Sequence, residues 1–223
     1  MTDPAQFFTT LSIWAIPVLF AITLHEVAHG WAARALGDPT AAVLGRLSLN
    51  PIRHIDPVGT ILVPAVMLFL GGFLFGWAKP VPVNMHNLRK PRQHMALVAI
   101  AGPGANLVMA LGWVILLKTA LTLGADNTVW TFLGLMSVAG IIINLVLMIL
   151  NLLPLPPLDG GRVLAGLLPP NGARVLDRIE PYGLVILIVL LAVGILGQVI
   201  AVPLGLAQGW LYGLVGLDPS QVY

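Results

Sequence analysis

Residues 7–36 read FFTTLSIWAIPVLFAITLHEVAHGWAARAL, an apolar run that carries the polar cluster His25-Glu26-Val27-Ala28-His29 near its end. A helix rises about 1.5 Å per residue and needs about 20 apolar residues to cross a bilayer, so this run is long enough to span. Gly37-Asp38-Pro39 then stops it. No Lys or Arg precedes Phe7, and the helical pattern continues without a small-residue cleavage site. The run therefore reads as a retained span and not as a secretory signal.

Further apolar runs lie near 58–78, 95–120, 129–153 and 182–207. Of the 223 residues, 58% are hydrophobic and 9% charged, against about 25% charged in a soluble domain. These features predict an all-α polytopic membrane protein of about five apolar segments, embedded in the lipid bilayer as a single domain over 1–223. Its catalytic core would occupy about 7–165, and a C-terminal helix and tail 182–223. A partly alternating, β-like stretch is expected near 41–48. Lys79-Pro80-Val81-Pro82-Val83 reads as extended chain, and Trp residues near the run ends suit interfacial anchoring. There is no cysteine, which excludes disulfides and thiolate metal sites. A formal net charge of +2 gives no sign of nucleic-acid binding.

His25 and His29 are four residues apart, hence on one helical face, and match the H-E-x-x-H pattern. Both imidazoles can reach one Zn²⁺ ion. Glu26, turned about 100° from His25, can reach a water in the metal's open position and act as general base. An ionisable group at the bilayer centre costs about 2.5–3.5 kcal/mol, so three of them in one turn call for a partner such as a metal. Catalytic zinc usually has three protein ligands. Asp159, in Pro156-Pro157-Leu158-Asp159-Gly160-Gly161 after the fourth run, is a candidate, in backbone expected to be unwound. The alternative is an aspartate in a helix-ending loop that faces water.

His25-Glu26-x-x-His29, Asn151-x-x-Pro154-x-Pro156-x-Leu158-Asp159-Gly160 and Ala101-Gly102-Pro103-Gly104-Ala105-Asn106 together resemble the site-2 protease family of intramembrane metalloproteases, over roughly 15–165. The resemblance implies one zinc ion held by His25, His29 and Asp159, with Glu26 as catalytic base. It further implies cleavage of membrane-embedded segments of other membrane proteins. It is to a short form, with no stretch long enough for the PDZ or CBS domain of several relatives. It places Asn151 near substrate or the developing oxyanion, against the alternative of a helix-packing amide. Asn106 is a second, weaker candidate for that role, against packing or capping. His54 reads as a solvated loop residue near an interface, against the alternatives of an extra metal ligand or a role at the cavity mouth, and His86 and His94 as headgroup contacts.

A zinc-binding transporter or channel would spread ionisable residues along several helices, whereas here they cluster at one turn and one loop. A site kept only for structure would not need Glu26. If His25, His29 and Asp159 share an ion, the first and fourth runs must end on one side of the membrane. Segment 58–78 is then expected to enter and return as a re-entrant or hairpin segment, bending at Gly71-Gly72. With the N-terminus outside, every Lys and Arg except Lys118 falls on the cytoplasmic side. A multi-pass protein of the cell membrane with its active site opening toward the cytoplasm is the expectation.

Overall fold

The computed structural model describes residues 4–63, 78–124 and 127–217. Helix α1 (Pro4–Ala35) is followed by a one-turn helix α2 (Thr40–Val43), and after three short turns among the described residues come the long helices α3 (Pro91–Leu123) and α4 (Thr128–Leu152). Helices α5 (Asp159–Leu167), α6 (Pro170–Ile179), α7 (Gly183–Ala192) and α8 (Ile195–Leu214) complete the bundle. Phe8–Ala35, Pro91–Leu123, Thr128–Leu152 and Ile195–Leu214 are each long and apolar enough to cross a membrane. Large side chains such as Phe8, Phe20, Val108, Ile115, Val202 and Leu206 stand exposed along them, as a lipid-facing surface requires.

Helix α3 is the axis around which α1, α4 and α5 pack. Ala110, Val114 and Leu117 of α3 meet Ile141, Leu145 and Ile149 of α4, and Leu211 and Tyr212 of α8 close the same cluster. The C-terminal helix thus belongs to the core. Gly140 of α4 lies flat against the Trp113 ring, where a Cβ would sit 2.5 Å from ring carbons. That close approach is a reason for a small residue at a membrane helix contact. Trp113 therefore serves packing inside α3, unlike an interfacial anchor.

The hydrogen bonds fix the helix directions. His29 of α1 reaches Val98 and His25 reaches Asn106, so α1 and α3 run antiparallel. Asn106 meets Asn144, and Gly140 meets Trp113, so α4 runs antiparallel to α3 and parallel to α1. The Arg89 N–H donates to the Leu36 carbonyl at 3.3 Å, so the chain between α1 and α3 leaves and returns at one end of the bundle.

Three expectations change. The 41–48 stretch is not β-like: the Asp38 carboxylate takes the Thr40 N–H and starts the turn Thr40–Val43, and Gly45 at φ 63° ends it. No strand occurs among the described residues. The run 182–207 is two helices, broken at Gly194, whose φ of 81° no continuing helix has. The polar connection after Asp159 folds into α5 and α6, and Asp159 opens α5 instead of sitting in a loop. Of the predicted re-entrant segment 58–78, the π-helical turn Pro57–Leu62 is seen, and 64–77 lie outside the described residues.

Candidate metal centre

One stripe of α3 forms the bed of the site. Val98, Gly102 and Asn106 are four residues apart and share a helical face. The Val98 carbonyl accepts from His29 Nδ1 at 2.7 Å, and Asn106 Oδ1 accepts from His25 Nδ1 at 2.6 Å. A carbonyl can only accept, and it has two lone pairs, so Val98 takes the imidazole proton without leaving the helix. The orientation of Asn106 is set in turn, because its Nδ2 donates to Asn144 Oδ1 at 3.0 Å and to the Ala21 carbonyl at 3.3 Å. Asn144 Nδ2 donates to the Gly140 carbonyl at 2.8 Å. Both Nδ1 atoms thus carry protons, and both Nε2 lone pairs face the other way. Such a partner on the far nitrogen is how metal-binding histidines are oriented.

The two Nε2 atoms stand 3.0 Å apart, and each is 3.2 Å from Asp159 Oδ2. Asp159 reaches this point because 153–158 turns sharply between α4 and α5. A Cβ on Gly161 would lie 2.6 Å from Pro156 N, so the helix start can press against that turn only with glycine there. All three side chains are buried, and Asp159 Oδ2 has no hydrogen-bond donor. Three buried acceptors facing one another repel unless a cation lies between them. Tetrahedral zinc with N and O ligands at about 2.0–2.2 Å sets ligand–ligand distances of roughly 3.4 Å. A triangle with edges of 3.0–3.2 Å needs only slight widening to fit. His25, His29 and Asp159 form the one such group among the described residues.

Glu26 points to the side. Its Oε2 accepts the Val81 N–H at 2.7 Å, from the extended segment 79–83. A cavity of about 160 Å³ opens here, lined by His25, Glu26, His29, Pro80, Val81 and Asn151 among others. Asn151 therefore faces the cavity, with its Nδ2 donating to the Leu147 carbonyl at 3.0 Å. Asn106 does not line it and is wholly buried behind His25. His54 is buried rather than solvated: its Nε2 donates to the Ser48 carbonyl at 2.8 Å, and it is no part of the acceptor triangle.

Sequence reasoning missed Asn144, Gly102 and the Val81 N–H. Asn144 had a signal, a single amide inside Ile141-Ile142-Ile143-Asn144-Leu145, since a polar group in an apolar helix wants a partner. Gly102 stood in a quoted motif without a reason attached. A backbone N–H leaves no trace in side-chain identity.

Residues 119–194 match the model of Peptidase family M50. YwhC of Bacillus subtilis, named as a zinc metalloprotease, is 44% identical over 177 residues, covering 78% of each chain. Rip2 of Mycolicibacterium smegmatis and Rip2 of Mycobacterium tuberculosis, named likewise, are each 31% identical. They match over 78% and 88% of this chain, and over 64% and 69% of their own. No solved structure matches. With that identity to YwhC over most of both chains, and with a buried His-His-Asp triangle on an H-E-x-x-H helix, the protein belongs to peptidase family M50, the site-2 protease family of zinc metalloproteases.

Proposed function

We propose that the protein hydrolyses peptide bonds in or near transmembrane segments of other membrane proteins, with one zinc ion held by His25, His29 and Asp159 and with Glu26 as general base. The observation that carries this reading is the convergence of three buried acceptor atoms beside a carboxylate, in a cavity between membrane-length helices. Zinc bound there would supply a Lewis acid for the scissile carbonyl and for the attacking water. Glu26 takes the proton from that water and returns it to the leaving amine. Asn151, already facing the cavity, can turn its amide from Leu147 toward the developing oxyanion. Asn106 acts through His25 and not on substrate.

The cavity bounds what can enter. A helix with side chains is about 10–12 Å across, too wide for about 160 Å³. A substrate helix must locally unwind, and an extended backbone can then lie along 79–83. The excess of Lys and Arg at the metal end of the bundle supports an N-terminus outside and a site opening to the cytoplasm of a cell-membrane protein. Purified Glu26→Gln protein is expected to keep about one zinc per chain and to lose peptide cleavage. Cleavage retained by that variant overturns the role given to Glu26, and loss of zinc from it overturns the ligand set.

A further inference from the structure

Asp38 lies just beyond α1 and has no part in the chemistry above, yet it is the most fully engaged carboxylate among the described residues. It is wholly buried. Oδ1 accepts from the Thr40 N–H at 3.1 Å, from the Thr40 hydroxyl, and from Asn87 Nδ2 at 2.9 Å. Oδ2 accepts the Asn84 N–H at 2.7 Å. Gly37, at φ 116°, lets the chain turn back to deliver it, and a Cβ there would come within 3.0 Å of the Asn87 carbonyl. So much satisfied polarity at a helix end is more than a stop signal needs.

What those bonds hold is the segment that runs to the catalytic cavity. Asn84 follows 79–83 directly. At the other end of that segment the Lys79 N–H donates to the His54 carbonyl at 2.9 Å, and Arg46 Nη2 donates to the Lys79 carbonyl at 2.9 Å. Between these anchors Val81 gives its N–H to Glu26 and packs on Gly30, one turn past Glu26 on the same face of α1. A Cβ on Gly30 would stand 3.0 Å from Val81 Cγ1. Pro80 and Pro82 have no N–H to offer and keep the segment extended. Pro80, Val81 and Val83 form one wall of the cavity.

We propose that Asp38 is a positioning residue: through Asn84 and Asn87 it sets the height of the 79–83 segment, so that Val81 meets Glu26 and the substrate-facing wall stays closed on α1. The proposal rests on the proteolytic reading only for its kinetic arm. Its structural arm uses the absence of native cysteine. Val81→Cys puts a thiol at a site that is 7% exposed. In the Asp38→Ala background that thiol is expected to react with a small maleimide at least about tenfold faster, because the wall opens locally. Zinc content should not change. The value of kcat should fall about 10²-fold, since a misplacement of about 1 Å costs that much, and KM should change less. Asp38→Glu should recover part of the rate. Asn87→Ala, which removes one donor at an exposed position, gives a smaller change of the same sign and serves if Asp38→Ala does not fold. Unchanged labelling in both backgrounds overturns the proposal. Faster labelling in the Asp38→Ala background, when the protein with native Asp38 and Val81 also cleaves no peptide, would overturn the proteolytic reading and leave the positioning role standing.

Discussion

Gly102→Ala tests the site more sharply than removal of a ligand, because it adds one methyl group and takes nothing away. The new Cβ would stand 2.5 Å from His29 Cε1 and 2.6 Å from His25 Cε1. Ordinary carbon contacts begin near 3.4 Å, so the rings must retreat from α3 by about 0.8–0.9 Å. They cannot do so freely, since their Nδ1 atoms are tied to Val98 and Asn106 of that same helix. Metal–ligand distances tolerate only about 0.2 Å. Zinc affinity is therefore expected to fall about 10²-fold, or about 2.7 kcal/mol, with a comparable loss of kcat/KM. Helix propensity predicts the opposite sign, because alanine within a helix is favoured over glycine by about 0.8–1.0 kcal/mol. Gly104→Ala is the control: no atom lies within 4 Å of its Cβ position. Chelator competition and peptide cleavage on the three purified proteins decide the matter. A Gly102→Ala protein that holds zinc and cleaves like wild type would refute the geometry.

Asp159→Ala should lose most of its zinc, whereas His54→Ala, removed from the triangle, should keep it; metal analysis of both proteins reads this directly. Single cysteines at Ser48, Asn87, Asn127 and Asn171, probed with a membrane-impermeant thiol reagent in intact cells, should react from outside only at Asn127. Labelling of Asn87→Cys from outside would invert the proposed orientation of the loop between α1 and α3. Burial alone would raise the pKa of Asp38, but hydrogen bonds from the Thr40 hydroxyl, the Asn87 amide and the Asn84 and Thr40 backbone outweigh it, and the carboxyl titrates below its ordinary value. A carboxyl held low stabilises the fold above its unfolded pKa of 3.8 and loses that contribution as pH falls through the lower folded value. The stability difference between wild type and Asp38→Asn should therefore be level from neutral pH to about 4 and shrink below it. A constant difference down to pH 2 would count against the assignment.

The first three membrane-length helices were legible because apolar runs carry their own length, and their predicted ends fell within several residues; the last, Ile195–Leu214, was not. His25 and His29 were legible as a pair because a fixed spacing on a helix settles which groups share a face, and the same spacing set Glu26 to one side of them. Asp159 was a candidate from its Pro- and Gly-flanked turn, but only the resemblance singled it out as the third ligand, since nothing local says that a turn after α4 folds back onto α1. The errors lay where tertiary contacts decide. Alternating side chains at 41–48 suggested a strand, but Asp38 captured Thr40 and a helical turn won. The apolar run 182–207 gave no warning that Gly194 would adopt a left-handed conformation. Asn106 stood as a weaker candidate for substrate contact against packing or capping, and its partner Asn144, which orients it toward His25, could not be seen in the sequence.

The bonds that satisfy the polar turn of α1 also bear on the order in which the chain can enter the bilayer. His25 and His29 find their partners on α3 and α5, and Glu26 finds its partner on segment 79–83. Every one of these is synthesised after α1. Until they arrive, α1 carries three unsatisfied polar side chains at a cost of about 2.5–3.5 kcal/mol for an ionisable group at the bilayer centre. Lipid alone is a costlier setting for this helix than the assembled bundle, and that cost falls only as α3 and its partners pack against it. The same residues that qualify the protein for chemistry make its first segment dependent on its later ones, so biogenesis and catalysis are constrained by one set of side chains.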